Sequence, residues 1–239
     1  MKNLFLFLFL LVVFTSKAQD NRVSGLNSRQ FTKYWKVESE SPDYKVTFQG
    51  DTAEIVSPKG LTLWRKEKMS GKVTIEYDAC VVVESDGDRL SDLNCFWMAS
   101  DPQYPDNLWK REKWRSGIFL NCYSLQLYYL GYGGNHNSTT RFRRYDGDES
   151  GITNPKARPA ILKEYTDAGH LLKPNHWYHI KITNENNRVS YYIDGERLVD
   201  FRDAEPLREG WFGFRTTLSR TRITNFSYEC SSQELSLIH

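Results

Sequence analysis

Apolar and polar positions along this chain alternate in short runs, and the period is two rather than 3.6. Runs rich in Val, Ile, Thr and aromatics predict strands at Tyr44–Phe48, Thr52–Val56, Leu61–Trp64, Val73–Glu84, Asp92–Ala99 and Gly117–Leu120. Further runs lie at Ser124–Tyr132, Thr140–Tyr145, Trp177–Asn184, Arg188–Ile193, Arg197–Asp203, Gly210–Thr216 and Arg220–Glu229. Tyr178, Ile180 and Ile182 share one face of their strand, with Trp177, His179 and Lys181 on the other. Asp194-Gly195 marks a tight hairpin. Beyond the N-terminal segment no long window has helical periodicity. Strands punctuated this regularly predict an all-β sandwich or jelly roll.

Two stretches stand out from that pattern. Leu130–Tyr145 packs three glycines, two asparagines, a histidine, three arginines and two tyrosines into one hairpin-like run. A plain turn needs far fewer hydrogen-bonding side chains, whereas an anionic sugar site needs this mixture. Directly after it, Asp146–Asn175 carries Pro155, Pro159 and Pro174 and no clear strand. A loop of that length inside a compact domain is usually functional, and a cover over the same site is expected.

The ends and the charge narrow the setting. Lys2, the apolar run Leu4–Phe14 and Ser16-Lys17-Ala18 predict a signal peptide over 1–18, leaving one domain over 19–239 that is periplasmic or secreted. The apolar run is too short to span a bilayer, so no membrane insertion is expected. Without Lys2 and Lys17, thirty basic side chains balance thirty acidic ones, which argues against a nucleic-acid partner. Cys80, Cys95, Cys122 and Cys230 permit two disulfides in an exported chain, yet three of them sit in strand-like runs where free cysteine also packs well.

Four segments of the C-terminal third, Trp177–Ile182, Tyr191–Gly195, Gly210–Arg215 and Ile223–Phe226, resemble concanavalin A-like jelly rolls. The resemblance implies a two-sheet antiparallel sandwich. Asp92–Ala99, Leu127–Asn135 and Thr139–Tyr145 look like a family of small exported jelly-roll proteins, formerly a domain of unknown function, that accompany bacterial polysaccharide-utilisation systems. That resemblance implies a role in glycan breakdown. For some relatives, among them an ulvan oligosaccharide dehydratase, it implies elimination on uronate-containing oligosaccharides.

Such an elimination removes the proton at C5 and expels the oxygen substituent at C4. It needs a neutralised carboxylate, a base and an acid. By residue chemistry the candidate base is His136, with His179 its leading rival if that face is the concave one, and the candidate acid is Tyr132, or the base if nearby arginines ionise it. Arg141 and Arg143, on one side of their strand, form a carboxylate or sulfate clamp. Asn135, Asn137, Arg144, Asn94, Trp97 and His179 are the candidate substrate contacts. The expected partner is an acidic oligosaccharide, sulfated or not, bound by a monomer. No cofactor is required, and Glu84, Asp86, Asp88 and Asp92 read either as a solvated acidic hairpin or as a structural calcium site. Rival readings are a non-catalytic carbohydrate-binding module and a lyase or hydrolase of 3-keto-glycosides; the latter is expected to be chelator-sensitive.

Overall fold

The structure is a computed structural model describing residues 22–231; the expected signal peptide lies outside them. The first seven strands are β1 (Val23–Ser24), β2 (Trp35–Ser39), β3 (Lys45–Gln49), β4 (Thr52–Arg65), β5 (Met69–Ser70), β6 (Lys72–Val81) and β7 (Leu93–Ser100). There follow β8 (Gln126–Gly133), β9 (Thr139–Asp146), β10 (Lys163–Tyr165), β11 (Tyr178–Glu185), β12 (Arg188–Ile193), β13 (Glu196–Arg202) and β14 (Glu209–Ser231).

All pairings are antiparallel. The front sheet runs β10-β9-β8-β7-β14-β4-β2, and the back sheet runs β13-β12-β11-β6-β14-β4-β3. Two long strands therefore serve both layers. The first half of β14 pairs with β7, and its second half pairs with β6. Between them the register shifts at Thr217/Ser219, where Leu218 takes φ 49° and turns outward. The architecture is an all-β, concanavalin A-like jelly roll.

Two pairs of expected strands are thus single elements. Thr52–Val56 and Leu61–Trp64 join in β4, while Gly210–Thr216 and Arg220–Glu229 join in β14, because the apparent breaks are bends between layers. Gly117–Leu120 is not a strand. Ser116 and Gly117 adopt φ 48° and 71°, and the chain enters a 3₁₀ turn at Leu120–Ser124. Strands β1, β2, β5 and β10 were not expected.

Between the sheets, alternate residues of each strand form the main core. Trp35 stacks on Phe214 at 5.5 Å and meets Phe226 edge-on at 4.8 Å. A second apolar cluster lies on the outward face of the front sheet. There the excursion between β7 and β8 folds back, laying Leu108, Cys122, Tyr123 and Leu125 over Trp64, Phe96, Leu127 and Tyr145. No disulfide forms among the described residues, and Cys80, Cys95 and Cys122 pack as buried thiols. Among those residues, no helix is long and apolar enough to cross a membrane.

Buried charges pin that excursion. The fully buried Arg115 donates to Glu38 Oε2 at 3.0 Å and to the Leu108 carbonyl at 2.7 Å. Asp101, also fully buried, accepts two bonds from Arg111 at 2.7 and 2.9 Å. Burial holds the Glu38 carboxyl above its usual range, against the pull of Arg115. Arg115→Ala leaves Glu38 without its principal cation and is expected to destabilise the fold by about 3–5 kcal/mol, measured by chemical denaturation.

Candidate functional site

Where the excursion stops, the outward face of the front sheet stays open as a cleft of about 350 Å³. The sheet register orders its floor in two rows. One row crosses the sheet as Thr62, Arg215, Asn94, Gly131, Arg141 and Glu164, each opposite the next on adjacent strands. The second runs Trp64, Gly213, Phe96, Tyr129 and Arg143. Neighbouring strands lie about 4.8 Å apart, so the four lining positions of the first row, Arg215, Asn94, Gly131 and Arg141, span about 14 Å. Phe119 and Tyr123 form one wall, and Arg89, Asp92, Asn135 and Thr217 stand at the rim.

Four guanidiniums line this cleft against two carboxylates, Glu40 and Asp92. Arg215 is the most unusual of them. It is 3% exposed, its nearest carboxylate among the described residues is Glu40 at 4.0 Å, and the buried Glu38 acts on it from farther off. Its closer partners are neutral, the Gly117 carbonyl at 2.5 Å and Thr62 Oγ1 at 3.4 Å. A buried charge without a close counter-ion is costly, and an incoming anion relieves that cost. Arg143 donates to the Pro159 carbonyl, whereas Arg141 is paired with Glu164 at 2.5 Å.

Tyr129 lies in the same floor, with no hydrogen-bond partner for its hydroxyl among the described residues. Gly131 makes room for that hydroxyl, since a Cβ there would come within 2.4 Å of it. Burial pushes the phenol well above its usual range, and Asp92 pushes the same way, while Arg215 and Arg143 pull it down. The group is therefore a phenol, not a phenolate, at neutral pH.

The structure brings together Asn94, Asn135, Arg141 and Arg143 of the residues expected at the site. It leaves the others elsewhere. His136 sits exposed at the tip of the β8–β9 hairpin, where Asn135, His136 and Asn137 all take left-handed φ of 51–57°. The Gly/Asn density of this run serves that backbone, because Gly and Asn tolerate positive φ best. Tyr132 points the other way, into the inter-sheet core against Tyr178, and donates to the Leu171 carbonyl at 3.3 Å. Asn137 clamps Leu172, accepting from its N–H at 2.8 Å and donating to its carbonyl at 2.9 Å. Arg144 also faces inward, bonded to Asp203 at 2.7 Å. Trp97 is fully buried between the sheets near Tyr128 and Tyr191. His179 is on the back sheet, 2.7 Å from Asp78. His136→Ala is accordingly expected to leave binding and turnover within about twofold, since it replaces an exposed side chain that does not line the cleft.

The long segment after β9 flanks the cleft rather than covering it. Its Pro159 carbonyl meets Arg143, and the Arg158 guanidinium lies over the Tyr123 ring at 6.0 Å. Beyond, it adds β10 to the sheet edge, and His170 pairs with Asp167 and Glu196 away from the floor. The acidic turn satisfies itself. Asp88 accepts backbone N–H bonds from Glu84 and Ser85, and Glu84 pairs with Arg220 and Arg222. Among the described residues no group of three His, Cys, Asp or Glu is placed to hold a metal ion.

Residues 55–226, which carry the cleft floor from Thr62 to Arg215, match the family model of a domain of unknown function, DUF6250. The chain belongs to the DUF6250 family. No protein with a curated description matches the sequence. The DUF6250 fold is similar to that of a Bacillus subtilis protein of unknown function with a galectin-like fold, at TM-score 0.69 and 16% identity over 89% of this chain and 96% of that one. It is similar also to the carbohydrate-binding module CBM66 of Bacillus subtilis, at TM-score 0.53 and 15% identity over 82% and 94%. A third similar structure is the VIP36 exoplasmic/lumenal domain with Ca²⁺ and Man3GlcNAc bound, at TM-score 0.57 and 9% identity over 90% of both chains. At these identities the likeness concerns the fold.

Proposed function

We propose that this DUF6250 protein binds an acidic, uronate-bearing oligosaccharide in the front-sheet cleft and carries out β-elimination on it. The observation that carries the proposal is Arg215, a buried guanidinium in the floor of an open cleft whose nearest carboxylate is 4.0 Å away and whose closer partners are neutral. Carbohydrate binding by similarly folded proteins, CBM66 and VIP36, supports a glycan as the ligand.

In this mechanism Arg215 and Arg143 neutralise the substrate carboxylate and so acidify the C5 proton. Glu40, the cleft carboxylate with the fewest partners, takes that proton. The C5–H electrons form the C4=C5 bond, the C4–O bond breaks, and the Tyr129 hydroxyl protonates the departing oxygen. A departing sugar makes the reaction a lyase step; a departing hydroxyl makes it a dehydration. Ulvan fragments, which the sequence resemblance implies, are substrates of this kind.

The test is incubation with uronate oligosaccharides while following the ultraviolet absorbance of a 4,5-unsaturated uronate, with mass spectrometry to separate water loss from chain cleavage. Rising absorbance supports elimination. Tight binding without it favours the second reading, a non-catalytic binding module, for which the deep burial of Tyr129 speaks. Failure to bind any acidic oligosaccharide contradicts both.

A further inference from the structure

Asn94 carries more information than its place in the floor. The residue is 6% exposed, and its Nδ2 donates to Asp92 Oδ1 at 3.2 Å. Asp92 in turn is held by Arg89 and by Ser91 Oγ at 3.1 Å. A carboxylate accepts only, so this chain fixes the amide with its nitrogen toward Asp92 and its oxygen turned away. That oxygen is buried and has no hydrogen-bond partner. A buried acceptor left unpaired costs about 1–3 kcal/mol, a cost that a donor arriving in the cleft removes. The remaining neighbours do not remove it. Arg215, directly opposite on β14, turns its Nη1 to Gly117 and Thr62 and makes no hydrogen bond to Asn94, and Gly131, opposite on β8, has no side chain.

We infer that Asn94 determines specificity in this cleft: its amide oxygen accepts a hydrogen bond from a ring hydroxyl of the same sugar whose carboxylate meets Arg215. Asn94 and Arg215 are cross-strand neighbours, about 5 Å apart at the backbone, and both line the cleft, which places their side chains within reach of one sugar ring. A buried acceptor with no protein partner discriminates strongly, because a ligand lacking the donor leaves it unpaired. The site therefore selects uronates bearing a free hydroxyl at one ring position and rejects the sugar deoxygenated there. This inference rests on the acidic-sugar reading of the cleft.

The experiment is isothermal titration of the methyl glycosides of glucuronate and galacturonate, each with its 2-, 3- and 4-deoxy analogues, into wild type and Asn94→Ala. In wild type one deoxy position is expected to weaken binding about ten- to a hundredfold. In Asn94→Ala that ratio falls to about one, while ratios at the other positions stay as they were. Asn94→Leu, nearly isosteric and without an acceptor, gives the same readout should Asn94→Ala fold poorly. A ratio that survives both substitutions, or no deoxy position that weakens binding, overturns the inference alone. A neutral methyl glucoside that binds as tightly as the acid overturns the acidic-sugar reading and the inference with it.

Discussion

Arg215→Met is expected to weaken binding of uronate oligosaccharides by about a hundredfold or more, roughly 3 kcal/mol, while leaving the fold in place. Methionine fills much of the same volume and stays apolar beside Phe119, whose ring lies 5.5 Å from the guanidinium. The substitution forfeits the bonds to Gly117 and Thr62, but it also removes a buried charge whose nearest carboxylate is 4.0 Å away. Those effects on stability oppose each other, so melting temperature is expected to move little while affinity collapses. Titration calorimetry alongside a thermal melt checks both halves. A purely structural arginine would show the reverse, a large loss of stability and an unchanged affinity.

Tyr129→Phe is expected to lower turnover by about 10²–10⁴-fold with affinity nearly unchanged, because the hydroxyl acts on the leaving oxygen rather than on the ground-state ligand. The pH profile follows from the direction of its shift. Burial raises the pKa of this phenol, so the proton it donates is present throughout the neutral range and is lost only well above the usual tyrosine value. No fall in turnover between about pH 7 and 9 is expected to trace to Tyr129. Steady-state kinetics of the variant, with kcat and KM separated, decide the matter. A Tyr129→Phe protein with wild-type kcat removes the phenol from the mechanism.

How much of this was legible in the sequence depends on range. Period-two alternation placed Arg141 and Arg143 on one side of their strand and set Asn94 apart from Cys95 and Trp97, and those three polar residues do meet in one cleft. Arg215 was not singled out, because it sits inside the apolar run Gly210–Thr216 and reads as a core strand. Its pairing with Asn94 joins positions 121 residues apart, which no local pattern encodes. Tyr129 was passed over in favour of Tyr132 for a related reason. Both faces of β8 are apolar, since the folded-back excursion buries the outer one, so alternation alone does not say which tyrosine faces the cleft. His136 misled through composition. Glycine and asparagine gathered at that tip to satisfy left-handed backbone, not a ligand.

The most direct measurement compares a uronate oligosaccharide with the same oligosaccharide after reduction of its carboxylates to primary alcohols, titrated into wild type and Arg215→Met. Wild type is expected to bind the acid about a hundredfold more tightly than the alcohol, and Arg215→Met to bind the two alike. Equal binding of acid and alcohol by wild type would contradict the claim that a buried guanidinium in this cleft awaits a sugar carboxylate.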